Sequence, residues 1–255
     1  MSFVEVLEFI RVYYLNSYVL IAMAAALLCC LLRRKYYDLA LWQVILLYAV
    51  HAVFGNVGDR VTARIALGYW GGGCWYGVPL MILLSIWLLT KILKKDYGTI
   101  GDMSAAGICV LHILSKVACI FQGCCTGVIL FFTDTGKAIH FPCREFEIIA
   151  NTIVLIVLLR FEKRRIAKGM LWELYMIWYA VIRYIAAWLR EIPIDWKPFF
   201  LWIPAPRLWT VVICATGIVI LFFHFQKIYG RKPTIQEMLR AIIGKLPARE
   251  IEEAV

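Results

Sequence analysis

The chain alternates long apolar runs with short polar segments, and this pattern predicts a bundle of membrane-spanning helices. Each run is long enough to cross about 30 Å of hydrocarbon at about 1.5 Å of rise per residue. Backbone N–H and C=O groups inside hydrocarbon need partners within the protein, and helices of roughly 20 residues supply them. The short alternating segments of a membrane barrel are not seen. The predicted runs are 12–32, 39–57, 68–90, 104–122, 143–160, 170–189 and 206–226.

The composition agrees with a bilayer as the solvent. Of the 255 residues, 63% are hydrophobic and 15% are aromatic, far more than a water-soluble domain of this size carries. The fold class is therefore predicted to be all-α, a polytopic membrane protein with about seven transmembrane helices. The first run follows Glu5 and Glu8 and lacks a small-residue cleavage site, so we expect it to be retained.

The net charge of +10 is informative about topology. Most of the 27 lysines and arginines lie in alternate loops and in the C-terminal segment, which places those loops in the cytoplasm by the positive-inside rule. The N-terminus is then predicted outside and the C-terminus inside. Nucleic acid is not needed to explain the charge and is not an expected partner. The cytoplasmic set is Arg33, Arg34, Lys35, Lys91, Lys94, Lys95, Arg160, Lys163, Arg164, Arg165, Lys168, Lys227, Arg231, Lys232, Arg240, Lys245 and Arg249.

Composition divides the chain into a membrane domain, 1–230, and a cytoplasmic tail, 231–255. Within the tail, 233–253 is amphipathic and mixed in charge, which predicts a helix on the membrane surface. A mobile tail is the alternative. On the opposite side, 123–140 and 191–207 contain apolar and aromatic clusters that are typical of the headgroup level, so we expect both at the outer interface.

The sixth apolar run carries an arginine, which is costly in hydrocarbon and is therefore expected to face a cavity or a ligand. Tyr179, Arg183 and Arg190 are spaced so that a helix places them on one face. Because a guanidinium stays charged and its fork of donors matches phosphate oxygens, we expect this face to meet a phospholipid headgroup. The alternative is a structural ion pair between Arg183 and either Glu147 or Glu173.

A second cation, Lys116, lies near the outer end of the fourth run, where it either joins the site or only extends its amine to the interface. The nine cysteines lie mostly in apolar runs, where thiols pack as small hydrophobes, so no disulfide framework is expected. Cys124 and Cys125 lack the two-residue spacer of zinc and redox motifs, and the spacing from His112 to Cys119 is not one used by metal ligands. We therefore predict no metal and no cofactor.

The fifth run opens on Pro142-Cys-Arg-Glu-Phe-Glu147, with proline in the first turn and acids near the positive end of the helix dipole. Helix capping alone would explain this sequence. However, Arg144, Glu147 and Asn151 share a helix face, which predicts a polar patch directed into the bundle. His140 lies just outside the helix, where its imidazole could titrate near neutrality.

Three segments, in order, resemble the prolipoprotein diacylglyceryl transferase family. Residues 116–127 are similar to the family signature, and most similar to a branch that carries Gly-Cys-Cys. Residues 142–147 resemble the family's Pro-x-Gln-Leu-Tyr-Glu. Residues 179–193 look like its Tyr-Gly-x-x-Arg-Phe segment followed by Arg-x-Pro. The order and spacing of the three make the set more specific than any one of them.

The resemblance implies transfer of diacylglyceryl from phosphatidylglycerol to the cysteine thiol of a prolipoprotein lipobox. It implies a multi-pass protein of the bacterial inner membrane whose site faces the outer leaflet. A thiolate attacks a glycerol carbon while negative charge grows on the departing phosphate, so fixed cations lower the barrier. Carried over by position, the catalytic set is Arg183, Lys116, Glu147 and Tyr179, and the substrate-binding set is Arg190, Gly123, Gly127, Gln122, Gly71, Gly72, Arg144 and His140.

The chain departs from the family pattern at several site positions. The signature's arginine, asparagine and acidic residue, the histidine before two glycines, and the glutamate of the arginine helix are replaced by Lys116, Cys119, Cys124, Trp70 and Ala187, respectively.

Because of these replacements, the base for the substrate thiol is left open among Glu147, His140 and Tyr69. A non-catalytic lipid- or peptide-binding protein with the same fold is the alternative function. A transporter or sensor is disfavoured because no internal repeat is found. A retinal photoreceptor is disfavoured because 206–226 contains no lysine.

Overall fold

A computed structural model describes residues 3–67, 75–165, 168–191, 198–200 and 203–245. These residues form a helical bundle with two short antiparallel hairpins. The helices are α1 Phe3–Arg33, α2 Leu41–Leu67, α3 Gly77–Leu93, α4 Tyr97–Gln122, α5 Cys143–Lys163, α6 Leu171–Leu189, α7 Ala205–Tyr229 and α8 Ile235–Ile242, and the strands are β1 Ile129–Phe132, β2 Ala138–His140, β3 Pro198–Phe200 and β4 Ile203–Pro204.

Each of the seven predicted apolar runs overlaps one of the helices α1 to α7, which confirms the mostly helical fold. Three stretches within them are both long and apolar enough to cross a membrane: Leu41–Ile65, Tyr97–Gln122 and Pro206–Tyr229. Shorter apolar stretches lie at Ser17–Arg33 and Gly77–Leu93. The third predicted run, 68–90, begins in a segment outside the described residues.

Helix α4 lies at the centre of the bundle, where it packs against α1, α5 and α6, while α2 pairs with α3 and α6 pairs with α7. Glycines allow close helix contact: a Cβ added to Gly58 or Gly77 would overlap the backbone of the facing helix. Trp172 and Tyr175 are fully buried. Large apolar side chains such as Leu32 face outward, as expected for a surface in contact with lipid.

One end of the bundle is closed by a buried ion pair between α1 and α5. Arg33 Nε donates to Glu162 Oε2 at 2.8 Å, and the remaining guanidinium nitrogens donate to the backbone oxygens of Met103 at 2.9 Å and Asp102 at 3.0 Å. The Asp102 carboxylate in turn accepts hydrogen bonds from the backbone at the start of α6, including Leu171 at 2.8 Å. These contacts join four helices at the end that carries most of the basic loops.

The cap of α4 gives a first testable expectation, because Asp96→Ala should destabilise the protein by about 1 kcal/mol. Asp96 accepts hydrogen bonds from the backbone N–H and the hydroxyl of Thr99, both at 2.7 Å. Partial burial alone would raise the pKa of Asp96, but the bonds from Thr99 hold it below its usual value. The stabilisation is therefore present at neutral pH and is lost as pH falls through the depressed pKa.

Thermal unfolding in detergent, at neutral and at strongly acidic pH, measures this effect. A loss of the same size at both pH values would contradict the contribution of the Asp96 charge.

The opposite end of the bundle carries the segment between α4 and α5. Strands β1 and β2 form a hairpin whose apolar side chains, including Phe131 and Phe132, are exposed. Backbone hydrogen bonds then attach this segment to the end of α6, from Val128 N to Leu189 O at 2.9 Å and from Glu191 N to Thr126 O at 3.1 Å. The segment is thus an ordered part of the bundle rim.

Candidate active site

Three buried charged side chains meet where α4, α5 and α6 pack together. Glu147 accepts a hydrogen bond from Lys116 Nζ at 3.0 Å, and its two oxygens accept from Arg183 Nη1 at 2.7 and 2.6 Å. The exposed fractions are 0% for Glu147, 3% for Arg183 and 5% for Lys116. We call this group the Lys116–Glu147–Arg183 cluster. The structure thus brings together Lys116 and Arg183, which the sequence analysis assigned to one site.

Sequence analysis left open whether an ion pair of Arg183 would involve Glu147 or Glu173, and in the structure the partner is Glu147. Glu173, the other possible partner, instead lies 3.0 Å from the Nδ1 of His224.

The cluster contains two cations and one carboxylate, so one positive charge is uncompensated within it. Uncompensated charge in a desolvated site is costly, and an anion entering the site would remove that cost. Arg183 can also donate a further hydrogen bond, since its Nε has no hydrogen-bond partner among the described residues. Its guanidinium carbon lies 4.6 Å from the centre of the Tyr76 ring, which fixes the side chain by a cation–π contact.

Aromatic side chains form the wall behind the cluster. The ring of His112 stacks on Trp75 with centroids 5.1 Å apart and meets the edge of Tyr179 at 5.1 Å. His112 Nε2 lies 3.9 Å from a Glu147 oxygen. Tyr179, predicted as catalytic, is thus placed beside the cluster as part of this wall. Sequence analysis assigned no role to His112, although it lies one helical turn before Lys116 and on the same face.

A partly open cavity of about 490 Å³ adjoins the cluster between α1, α2, α3, α4 and α6. Lys116 and Arg183 line it, as do the predicted substrate-binding residues Gln122 and Arg190. Arg190 lies just past the end of α6 in extended conformation, so it reaches the cavity from the rim. Polar residues of α1 and α2 also line the cavity, and sequence reasoning had not assigned them: Tyr18, Tyr48, His51, Asn56 and Asp59.

His51 joins α2 to α3 and α4 at the cavity wall. Its Nδ1 lies 2.7 Å from the Ser85 hydroxyl, and its Nε2 lies 2.6 Å from the Ser104 hydroxyl. The sequence did not predict this pairing, because serines from two other helices complete it.

The Gly-Cys-Cys turn follows α4 at the rim of the cavity. Gly123 and Cys125 both have left-handed backbone conformations, with φ of 69° and 61°. The Sγ atoms of Cys119 and Cys125 are 3.7 Å apart, as are those of Cys124 and Cys125. Hydrogen bonding with Cys119 and Cys124, followed by the nearby positive charges, holds the pKa of the Cys125 thiol below its usual range.

Arg144 braces the turn, because its Nη1 donates to the backbone oxygens of Cys119 at 3.4 Å and Cys124 at 3.5 Å. It was predicted to share a face with Glu147 and Asn151, and only those two are buried in the bundle. Asn151 Nδ2 donates to the Glu147 backbone oxygen at 2.7 Å.

Three predicted substrate-binding residues shape the rim. Gly123 ends α4 in the left-handed conformation. His140 Nδ1 lies 2.8 Å from the backbone oxygen of Gly127 and 3.7 Å from a Glu191 oxygen. Gly127 forms an isolated antiparallel bridge with Arg190. Gly71, Gly72, Tyr69 and Trp70 lie outside the described residues, so their predicted roles stay predictions.

Gly127→Ala is expected to cost about 1–3 kcal/mol, because the added methyl group would overlap the backbone oxygen of Phe141. The rim would have to shift, and with it the bridge that holds Arg190. Thermal unfolding in detergent measures the loss of stability. Gly55→Ala on α2 is the control, since its added methyl group meets only side-chain atoms at 3.6 and 3.8 Å, which is ordinary van der Waals contact, and its backbone is helical. Equal losses for the two variants would contradict the packing role of Gly127.

These features define a helical membrane protein with a buried cationic cluster beside a cavity. The chain belongs to the prolipoprotein diacylglyceryl transferase family, whose model matches residues 6–223. This result confirms the resemblance drawn from the three motifs, and the family is one of bacterial membrane transferases in lipoprotein biosynthesis.

Curated relatives are similar at low identity. The phosphatidylglycerol–prolipoprotein diacylglyceryl transferase of Ehrlichia ruminantium (strain Welgevonden) is 24% identical over 163 residues, covering 59% of this chain and 63% of that protein. The protein of the same name from Dehalococcoides mccartyi (strain CBDB1) is 22% identical over 163 residues, covering 60% and 61%. Transferase 2 of Clostridium perfringens (strain 13 / Type A) is 24% identical over 170 residues, covering 62% and 64%. The chain thus matches less than two thirds of the length of each relative.

Proposed function

We propose that this protein transfers a diacylglyceryl group from phosphatidylglycerol to the cysteine thiol of a prolipoprotein lipobox. The observation that carries the proposal is the uncompensated positive charge of the Lys116–Glu147–Arg183 cluster at the wall of a cavity in a membrane protein. A phosphodiester headgroup carries one negative charge and would complete the charge balance. Membership of the transferase family and the names of its curated relatives support the same reaction.

The proposed topology has seven membrane crossings, with the N-terminus outside and the C-terminus in the cytoplasm. The Lys116–Glu147–Arg183 cluster lies at the end of the bundle opposite the Arg33–Glu162 pair, where the loops are poor in basic residues. The positive-inside rule therefore supports a site facing the outer leaflet of the bacterial inner membrane.

The two proposed units are the membrane domain 1–230 and the cytoplasmic tail 231–255. Helix α8 has a capping box and packs on α6, with Trp178 Nε1 donating to Ile242 O at 3.1 Å. Its other face exposes Ile235 and Leu239, which would insert into the headgroup region. The described part of the tail thus supports a surface helix over the mobile alternative.

In the proposed reaction, the acceptor sulfur forms a bond to the glycerol carbon that carries the phosphate. The bond from that carbon to the phosphate oxygen breaks, and its electron pair stays on the departing glycerol phosphate. Arg183 and Lys116 lie where they would stabilise the growing negative charge, and Arg190 would hold the headgroup at the rim. The acceptor thiol loses its proton before or during the attack.

Glu147 has the role of positioning the two cations, because both of its oxygens are occupied by Arg183 and Lys116. It is therefore a poor base for the substrate thiol. His140 lies in the rim, bound to Gly127, and Tyr69 lies outside the described residues.

The test uses the purified protein in phosphatidylglycerol liposomes with a synthetic lipobox peptide. Mass spectrometry should detect a thioether-linked diacylglyceryl peptide, and Arg183→Ala should abolish it. The same peptide with serine in place of cysteine should give no product. Saturable phosphatidylglycerol binding without any product would instead identify a non-catalytic lipid-binding protein, which the replaced residues Cys119, Cys124 and Ala187 favour as the second candidate.

A further inference from the structure

Three cysteine sulfurs gather at the rim of the cavity, outside the Lys116–Glu147–Arg183 cluster. The Sγ atoms of Cys119, Cys124 and Cys125 all lie within 4.8 Å of one another, with two of the separations at 3.7 Å. Zinc binds thiolate sulfur at about 2.3 Å, so the edge of a tetrahedral site is about 3.8 Å. Two observed separations therefore match the spacing of sulfurs around one zinc ion. They are far longer than the roughly 2.05 Å of a disulfide bond.

The backbone is held so that the sulfurs converge. Cys125 has φ of 61°, an uncommon conformation for a residue with a side chain. Such strain persists only where the surroundings impose it, and it is frequent at functional sites. Here Arg144 Nη1 donates to the backbone oxygens of Cys119 and Cys124, on either side of the turn. The residue after Cys125, Thr126, accepts a backbone hydrogen bond from Glu191, just past the end of α6. The ligands are thus arranged by fixed local structure.

Among the described residues, the three sulfurs leave a fourth coordination position open. No other histidine, cysteine or carboxylate atom joins the three sulfurs in the part of the chain that the structure describes. Structural zinc sites are closed by four protein ligands, whereas catalytic sites keep three ligands and one open position. Cys119 and Cys125 line the cavity that Lys116 and Arg190 also line, so two of the three cysteines border the space where the substrates would meet.

We propose that Cys119, Cys124 and Cys125 bind one zinc ion and that the acceptor thiol of the substrate occupies its fourth position. This inference rests on the proposed function for the identity of the fourth ligand. Zinc deprotonates a coordinated thiol outright, and the proton passes to solvent. The bound thiolate then forms the carbon–sulfur bond while the phosphate leaves with the electron pair. The site would supply the activation of the acceptor thiol for which Glu147, with both oxygens occupied, is a poor base.

The first arm measures the metal alone. Protein purified under reducing conditions and reconstituted with Zn²⁺ is expected to contain about one zinc per chain, as measured by inductively coupled plasma mass spectrometry. Cobalt loading should give intense sulfur-to-metal absorption in the near ultraviolet. Cys124→Ser, at an exposed position, and Cys125→Ser should lose both signals. Cys214→Ser, which changes a cysteine on α7 that is not one of the three proposed ligands, should keep them.

Two outcomes of this arm overturn the zinc site. One is wild-type protein that binds no zinc after reconstitution. The other is zinc retained by the Cys124→Ser/Cys125→Ser double variant. A third outcome would also overturn the zinc site: protein kept under reducing conditions that contains a disulfide among the three cysteines and no zinc.

The second arm tests the open position without needing turnover. Adding the lipobox peptide to cobalt-loaded protein should shift the absorption bands, and the serine peptide should leave them unchanged. An unchanged spectrum with the cysteine peptide would refute binding of the acceptor at the metal. Shifted bands without any transfer product would defeat only the proposed reaction. Undiminished transfer by the metal-free double variant would defeat only the metal site.

Discussion

Arg183→Lys is expected to lower the rate of diacylglyceryl transfer by about 10²–10³-fold, the usual loss when one donor to a developing oxyanion is removed. The variant keeps a positive charge opposite Glu147, so the ion pair survives. It loses the planar guanidinium, whose Nη1 donates to both Glu147 oxygens and whose Nε has no hydrogen-bond partner among the described residues. Initial rates with phosphatidylglycerol and lipobox peptide should show the loss mainly in kcat, because the missing interaction strengthens as the phosphate departs.

Arg33→Lys is the matched control for this substitution. Arg33 is also largely shielded from solvent, with 11% of its side chain exposed, and is paired with a single glutamate, Glu162, but at the opposite end of the bundle. Its lysine variant should lose stability and keep its transfer rate when assayed well below its unfolding temperature. A transfer rate for Arg183→Lys within a few-fold of wild type would place the phosphate elsewhere, as would an equal loss in both variants.

The helices of the fold were predictable because the bilayer imposes one rule on every apolar run. The predicted bounds were less accurate than the helices themselves: α2 ends at Leu67 where the sequence indicated 57, and α4 starts at Tyr97 where the sequence indicated 104. Residues 97–103 contain two glycines and an aspartate, which lower the apolar character. In the structure those glycines are contact points, since a Cβ on Gly98 would lie 2.7 Å from the Gly169 Cα and one on Gly101 3.2 Å from the Trp172 Cβ. Helix packing, which the one-dimensional pattern does not contain, explains the extra turns.

The candidate site was likewise predictable only in part. Lys116 and Arg183 were predictable because a charge inside an apolar run needs a partner or a ligand. The cavity lining from α2, such as Asp59, was not predictable, because it depends on which face of that helix turns inward. The close approach of the Cys119, Cys124 and Cys125 sulfurs was not predicted, for a related reason. Metal motifs are recognised by spacing, and the sulfurs of Cys119 and Cys125 come together only because the chain turns back at Gly123 in the left-handed conformation.

Glu147→Gln is expected to destabilise the protein by about 3–5 kcal/mol, because it leaves two buried cations without their common carboxylate. The amide has nearly the same shape, so the loss reports charge rather than packing. Thermal or denaturant unfolding in a neutral detergent measures it. If the cluster binds an anionic headgroup, adding phosphatidylglycerol should restore more stability to this variant than to wild type.

The double variant Lys116→Met/Glu147→Gln shows whether the loss comes from charge imbalance. It carries one buried cation in the cluster, the same net charge as wild type, and methionine fills the space of the lysine stem. It should therefore be more stable than Glu147→Gln alone, since it removes the repulsion between two desolvated cations. A double variant destabilised by the sum of the two single effects would indicate no coupling between Lys116 and Glu147. Their 3.0 Å contact would then be incidental, and the charge argument that places a phosphate at Arg183 would lose its support.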